Sequence, residues 1–144
     1  MKVLLQRVQS AAVDVAGERI AEIGHGLLAF VGIFPTDDLT EVDWFAQKTL
    51  GIRIFADDLK PMNRSVLDVG GGILAVSQFT LAADTQKGMR PGFSGAAAPE
   101  QAEQLYEAYV ERLREKISVA TGRFGADMQV SLVNDGPVTI MLER

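Results

Sequence analysis

The run LLAFVGIF, residues 27–34, contains no charged or amide side chain. A strand on a half-exposed sheet alternates apolar and polar residues, whereas one that is apolar on both faces must be covered on both. The turn Gly24-His25-Gly26 starts this run and Pro35-Thr36-Asp37-Asp38 stops it, so it reads as an interior strand. A second run, ILAVSQFTL at 73–81, follows the glycine triplet 70–72 and begins in the same way, but its second half turns polar. Any fold for this chain must cover both strands and give that polar end a place.

The remaining pattern supplies the cover. Residues 2–9 and 11–15 read as two strands, with a turn at Gly17-Glu18 and a third strand near 19–23. A helix is expected after Asp38, an N-cap with Glu41 three residues on. Leu39, Val42, Phe45, Ala46 and Leu50 form its apolar face and Gly51 marks its end. Residues 52–55 read as a short strand and 82–98, rich in Gly, Ala and Pro, as a long loop. Pro99 suits the first position of a second helix. Its stripe runs through Ala102, Leu105, Tyr106, Tyr109, Val110, Leu113 and Ile117, and Gly122 closes it. Strands at 127–134 and 137–142 finish the chain, separated by Gly136-Pro137. The expected class is α+β, a single domain over 1–144 with two principal helices and a mainly antiparallel sheet.

Composition narrows the chemistry. The chain has no Cys and one His, which removes thiolate nucleophiles, disulfides and a Cys- or His-rich metal site. A net charge of −5 argues against a broad basic face for nucleic acid, though not against contact with one RNA end. No apolar run reaches the roughly 18 residues of a membrane helix. MKVLLQRVQS reads as a first strand and not a leader, so a soluble, cytoplasmic protein is the expectation.

Three stretches can carry function. Ser77, Gln78, Phe79 and Thr80 end a buried strand; strand alternation would put Ser77 and Phe79 on one side and Gln78 and Thr80 on the other. Polar groups there line sites, or they satisfy fraying backbone. Lys87, Arg90 and Phe93 share the long loop; cations beside an aromatic ring suit a phosphate and a base, or the loop is a solvated tip. Gly136-Pro137 interrupts a strand, as a bulge, an edge kink or a cis peptide, with trans the usual state of proline. His25 reads as a surface turn residue. Asp57-Asp58 and Glu100, Glu103 and Glu107 read as solvated.

The segments MNRSVLDVGGGILAVSQFTLAADT, KGMRPGFS and TGRFGADMQVSLVNDGPVT, in this order and with SQFTL and NDGPVT as the specific pair, are similar to the bacterial-type D-aminoacyl-tRNA deacylases along essentially the whole chain. The resemblance implies a compact α+β unit with a barrel-like sheet, working as a homodimer without a cofactor or metal. It implies hydrolysis of the ester that joins a D-amino acid to the tRNA 3′ end, and of glycyl-tRNA mischarged on tRNA-Ala. Ser77, Gln78, Phe79 and Thr80 would be the catalytic segment. Gly136, Pro137 and Asn134 would bind substrate and select chirality, through a cis Gly136-Pro137 that reaches the partner subunit's site. Arg7, Lys87, Arg90 and Phe93 are the candidate tRNA contacts. An aminoacyl ester is already activated, so aimed N–H donors can carry much of the catalysis. Two mechanisms stay open: Thr80 as nucleophile, or water activated by the ribose 2′-hydroxyl with Thr80 and Gln78 positioning. A general small-ester hydrolase and a non-catalytic tRNA-end-binding module are the alternative functions.

Overall fold

The computed structural model describes all residues, 1–144. Strands β1 (Lys2–Val15), β2 (Glu18–Ile23) and β3 (Gly26–Gly32) precede helix α1 (Leu39–Gly51). Strand β4 (Gly72–Ser77) and a short 3₁₀ turn (Phe79–Ala82) lead to helix α2 (Pro99–Arg114). Strands β5 (Val119–Thr121) and β6 (Gln129–Glu143) complete the chain.

The sheet is mixed, which corrects the expectation of a mainly antiparallel one. β1 pairs antiparallel with β2, β3 and β6, but β3–β4 and β4–β5 are parallel. A parallel pair needs a crossover connection, and each helix lies on one: α1 between β3 and β4, α2 between β4 and β5. The helices therefore cover one face of β3 and β4, and the sheet curls so that the other face encloses a second core. The large core joins Val3, Leu5, Leu27, Ile73 and Ala75 to Phe45, Tyr109 and Leu113 of the helices. The smaller core, inside the curled sheet, holds Val8, Ala11, Val13, Leu28, Leu74 and Val76. Adjacent residues such as Leu27 and Leu28 go to different cores, which is why that run is apolar throughout.

Both helices start where the sequence places them. Asp38 accepts hydrogen bonds from the N–H groups of Thr40 (2.7 Å) and Glu41 (3.3 Å), a cap worth about 1 kcal/mol. These N–H groups, Thr40 first, hold its carboxyl below the ordinary range. The reciprocal half of the capping box is absent; the Glu41 carboxylate instead lies 3.9 Å from Arg144. Between the helices the buried Tyr109 hydroxyl meets Thr49 Oγ1 at 2.8 Å. Burial pushes the Tyr109 phenol well above its usual value. No helix is long and apolar enough to cross a membrane.

Other boundaries differ from expectation for physical reasons. Residues 2–15 form one strand, with a bulge where a break was expected: β1 advances from Val8 to Ser10 while β6 moves only from Asn134 to Val133. The extra residue flips the alternation, so Val8, Ala11 and Val13 all face the inner core. Residues 52–55 make only an isolated bridge, Phe55 to Arg64. The second helix stops at Arg114, not near Gly122. Ile117 still packs on the core after the helix has ended, so the apolar spacing overruns it and masks the three-residue β5 that follows.

Candidate functional site

The polar end of the 73–81 run does not continue as a strand. β4 ends at Ser77, the Gln78 N–H reaches back to the Val31 carbonyl at 2.7 Å, and the chain turns into the 3₁₀ segment. The expected alternation of residues 77–80 therefore does not apply. Gly32 makes room for this turn. A Cβ there would lie 2.8 Å from Leu81 Cβ, closer than packed atoms tolerate, and 3.3 Å from the Gln78 carbonyl oxygen. The 3₁₀ segment thus rests directly on β3.

Ser77, Gln78 and Phe79 form one wall of a cavity of about 520 Å3, a size suited to a small organic ligand. Val31, Ile33 and Val76 lie at its base, and Phe124 to Met128 line it from the β5–β6 connection. Phe93 stands at the rim, its ring 5.2 Å from that of Phe79 in an edge-to-face pair. The lining is largely apolar and Asp127 is its only carboxylate. Thr80 accepts a hydrogen bond from the Gln78 side-chain amide, and no carboxylate or imidazole bonds to it. His25 is a surface turn residue, as expected, edge-on to Phe55. Asp57 accepts bonds from the backbone of Leu59 and Lys60 and from Asn63, closing its own turn.

The second motif lies elsewhere. Residues 127–134 and 137–142, expected as two strands, are one, but its register jumps. β6 runs from Thr139 to Asn134 while β1 moves only from Gln6 to Val8. The residues between are pushed out of the ladder. Asn134 spans the base of this projection: its Oδ1 accepts from the Val138 N–H and its Nδ2 donates to Thr139 Oγ1, both at 2.9 Å. Gly136 and Pro137 sit exposed at the tip, joined by a cis peptide, as the resemblance implies. None of residues 134–138 lines the 520 Å3 cavity.

Arg7 sits beneath the tip. Its Nε donates to the Asp135 carbonyl at 3.0 Å and lies 3.3 Å from the Asp135 carboxylate, and its Nη1 donates to the Ile54 carbonyl. The side chain is only 13% exposed, so it serves the protein's own backbone. Lys87 and Arg90, by contrast, are exposed and have no ion-pair partner. Their loop is closed at its base by paired backbone bonds between Asp84 and Gly92, 2.8 and 2.9 Å long.

The cavity residues that the sequence reading left without a role are Phe124, Asp127 and Met128. A signal was present in TGRFGADMQV. Gly122 bears the Met128 sulfur, which a Cβ would meet at 2.6 Å, and Gly125 takes φ +71°, so these glycines let the connection fold over the cavity.

Comparison with known proteins agrees along the full length. A solved structure described as c-Myc DNA Unwinding Element Binding Protein superposes with a TM-score of 0.94 at 42% identity, covering 100% of this chain and 99% of that one. A probable eukaryotic D-amino acid tRNA deacylase shares the fold, with a TM-score of 0.84 at 18% identity and 98% and 97% coverage. The D-aminoacyl-tRNA deacylase of Ectopseudomonas mendocina is 58% identical over 99% of both chains. That of Pelobacter propionicus is 53% identical over 100% of both. These full-length similarities place the chain among the deacylases, hydrolases of aminoacyl-tRNA ester bonds. The family model described as D-Tyr-tRNA(Tyr) deacylase matches residues 4–143, and the chain belongs to that family.

Proposed function

We propose that this protein hydrolyses D-aminoacyl-tRNA in the cytoplasm, releasing D-amino acid and tRNA, and rejects L-aminoacyl-tRNA. The observation that carries the reading is the placement of the first motif. The strand end delivers Ser77, Gln78 and Phe79 to the wall of an apolar cavity with room for the esterified terminal adenosine. Phe79 and Thr80 open the 3₁₀ turn, so their N–H groups have no acceptor within it. Backbone N–H groups of this segment are the oxyanion donors of the mechanism, and one such donor is worth about 3 kcal/mol of barrier.

The attacking group is water assisted by the ribose 2′-hydroxyl, with Thr80 and Gln78 positioning. The structure supports this over a Thr80 nucleophile because the Thr80 oxygen already accepts the Gln78 amide and no base stands against it. Trapping an acyl group on Thr80 would overturn this choice.

Chirality is selected by Gly136-Pro137 of a second copy of the chain, in a homodimer whose sites lie at the subunit interface. The tip is exposed and lies outside its own cavity, so it is available to the other copy's cavity. A backbone wall admits the α-hydrogen and excludes an L side chain, while leaving the D side chain unread. Glycine has hydrogen on both sides, so glycyl-tRNA mischarged on tRNA-Ala is cleaved as well. Asn134 fixes the base of the tip and Arg7 braces it from below, while Lys87, Arg90 and Phe93 remain for the tRNA end.

The deciding measurement is release from matched D- and L-tyrosyl-tRNA. D-only cleavage is expected. Cleavage of both would indicate a general esterase, and binding without cleavage a tRNA-end module.

A further inference from the structure

The rings of Phe79 and Phe93 line the cavity yet stay partly open to solvent, and the loop that ends at Phe93 carries two unpaired cations. Phe79 is 56% exposed and Phe93 39%. They touch edge to face, which leaves a ring surface open to one further planar group. The loop that ends at Phe93 carries Lys87 and Arg90 in the open, in a chain whose net charge is −5. Exposed aromatic rings with unpaired cations on the adjoining loop suit single-stranded nucleic acid, with a base stacked on a ring and phosphates along the charges.

We infer that Phe79 and Phe93 stack the base of the penultimate nucleotide of the tRNA 3′ end, while Lys87 and Arg90 hold the phosphates that flank it. The inference rests on the deacylase reading above. With the terminal adenosine in the cavity, the next nucleotide leaves past its exposed lining, and the two rings are the exposed aromatic part of that lining. Stacking accepts any base, so this contact supplies affinity and register without sequence choice.

The test compares D-tyrosyl-adenosine with D-tyrosyl esters of the 5′-phosphorylated dinucleotides pCpA and pUpA, which carry both phosphates that flank the penultimate base. In the wild type, the added nucleotide should raise kcat/KM roughly tenfold, and equally for C and U, the gain expected from one stacked base. Phe93→Ala should reduce that gain to near one whatever its own rate on the adenosine ester. Phe93→Leu, which keeps apolar volume but no ring, should do the same, and Phe93→Tyr should keep the gain. Lys87→Gln with Arg90→Gln should raise KM for the dinucleotide esters more than for the adenosine ester.

Several results would overturn the inference. One is a wild type that gains nothing from the second nucleotide. Another is a gain that survives in Phe93→Ala while both rates fall together, which would place the ring in the adenosine site. A gain that survives in Phe93→Leu would reduce the pair to apolar cover. If the deacylase reading itself were wrong, the wild type would leave D-tyrosyl-tRNA uncleaved, a result separate from all of these.

Discussion

SQFTL and NDGPVT are both short polar interruptions of apolar strands, yet the fold treats them in opposite ways. The first is seated: its 3₁₀ turn rests on Gly32, is tied to Val31, and looks into a cavity its own chain builds. The second is presented: β6 leaves the ladder, projects Gly136 and Pro137 into solvent, and is braced by Arg7 and Asn134 without a receptor on its own chain. One motif is a pocket and the other a tip. In the proposed function the two meet across a homodimer, each tip at the other chain's pocket.

Breaking the tip should have the largest effect. Gly136 takes φ +132°, and a Cβ there would meet Val138 Cγ2 at 2.8 Å and Arg7 Nη2 at 2.9 Å. Gly136→Ala should lower kcat/KM on D-tyrosyl-tRNA by at least about a hundredfold, the scale of losing a transition-state contact worth near 3 kcal/mol. Unchanged rates would remove the tip from the site. The comparison sharpens if a Gly136→Ala chain is mixed with a chain disabled at its pocket. Shared sites then predict regained activity in the mixed dimer, and no regain would return both halves to one chain.

Removing the brace should come next. Arg7→Ala loses charge-assisted bonds to the Asp135 and Ile54 carbonyls, each typically worth about 1.5–3 kcal/mol. A loss of roughly tenfold or more in kcat/KM is expected, only partly restored by Lys, which has no planar fork. On the pocket side, Gly32→Ala should displace the 3₁₀ turn and lower kcat about tenfold with little change in KM, since a shift of a few tenths of an ångström misaligns oxyanion donors. Thr80→Ala should have the smallest effect, less than about fivefold on turnover, as expected for a side chain that positions and does not attack. A loss beyond a thousandfold would restore Thr80 as the nucleophile.

The two motifs also differ in how much of them the sequence exposes. The doubly apolar runs predict interior strands because each face has its own core, and the Asp38 cap fixes a helix start to the residue. The parallel pairings were not legible: helix-crossover and hairpin connections differ in path, and apolar periodicity records burial, not strand direction. At the site, Ser77 to Phe79 are readable as the end of a buried strand, but the 3₁₀ turn depends on Gly32, forty-five residues before Ser77. Arg7 reads as a free cation by type. Its real partners, Asp135 and Ile54, are distant in sequence, and both of its hydrogen bonds go to backbone carbonyls, which no side-chain pattern records.

The jump in register along β6 also bears on what sets the shape of the tip. The ladder closes above and below the projection, Gln6 with Thr139 and Val8 with Asn134, so the strand's hold on the barrel does not pass through the tip. The conformation of residues 135–137 is therefore set locally, by the positive φ of Gly136 and the bonds with Arg7 and Asn134, and not by the ladder. If the tip selects substrate as proposed, selectivity and the closure of the barrel rest on separate sets of bonds in the same strand.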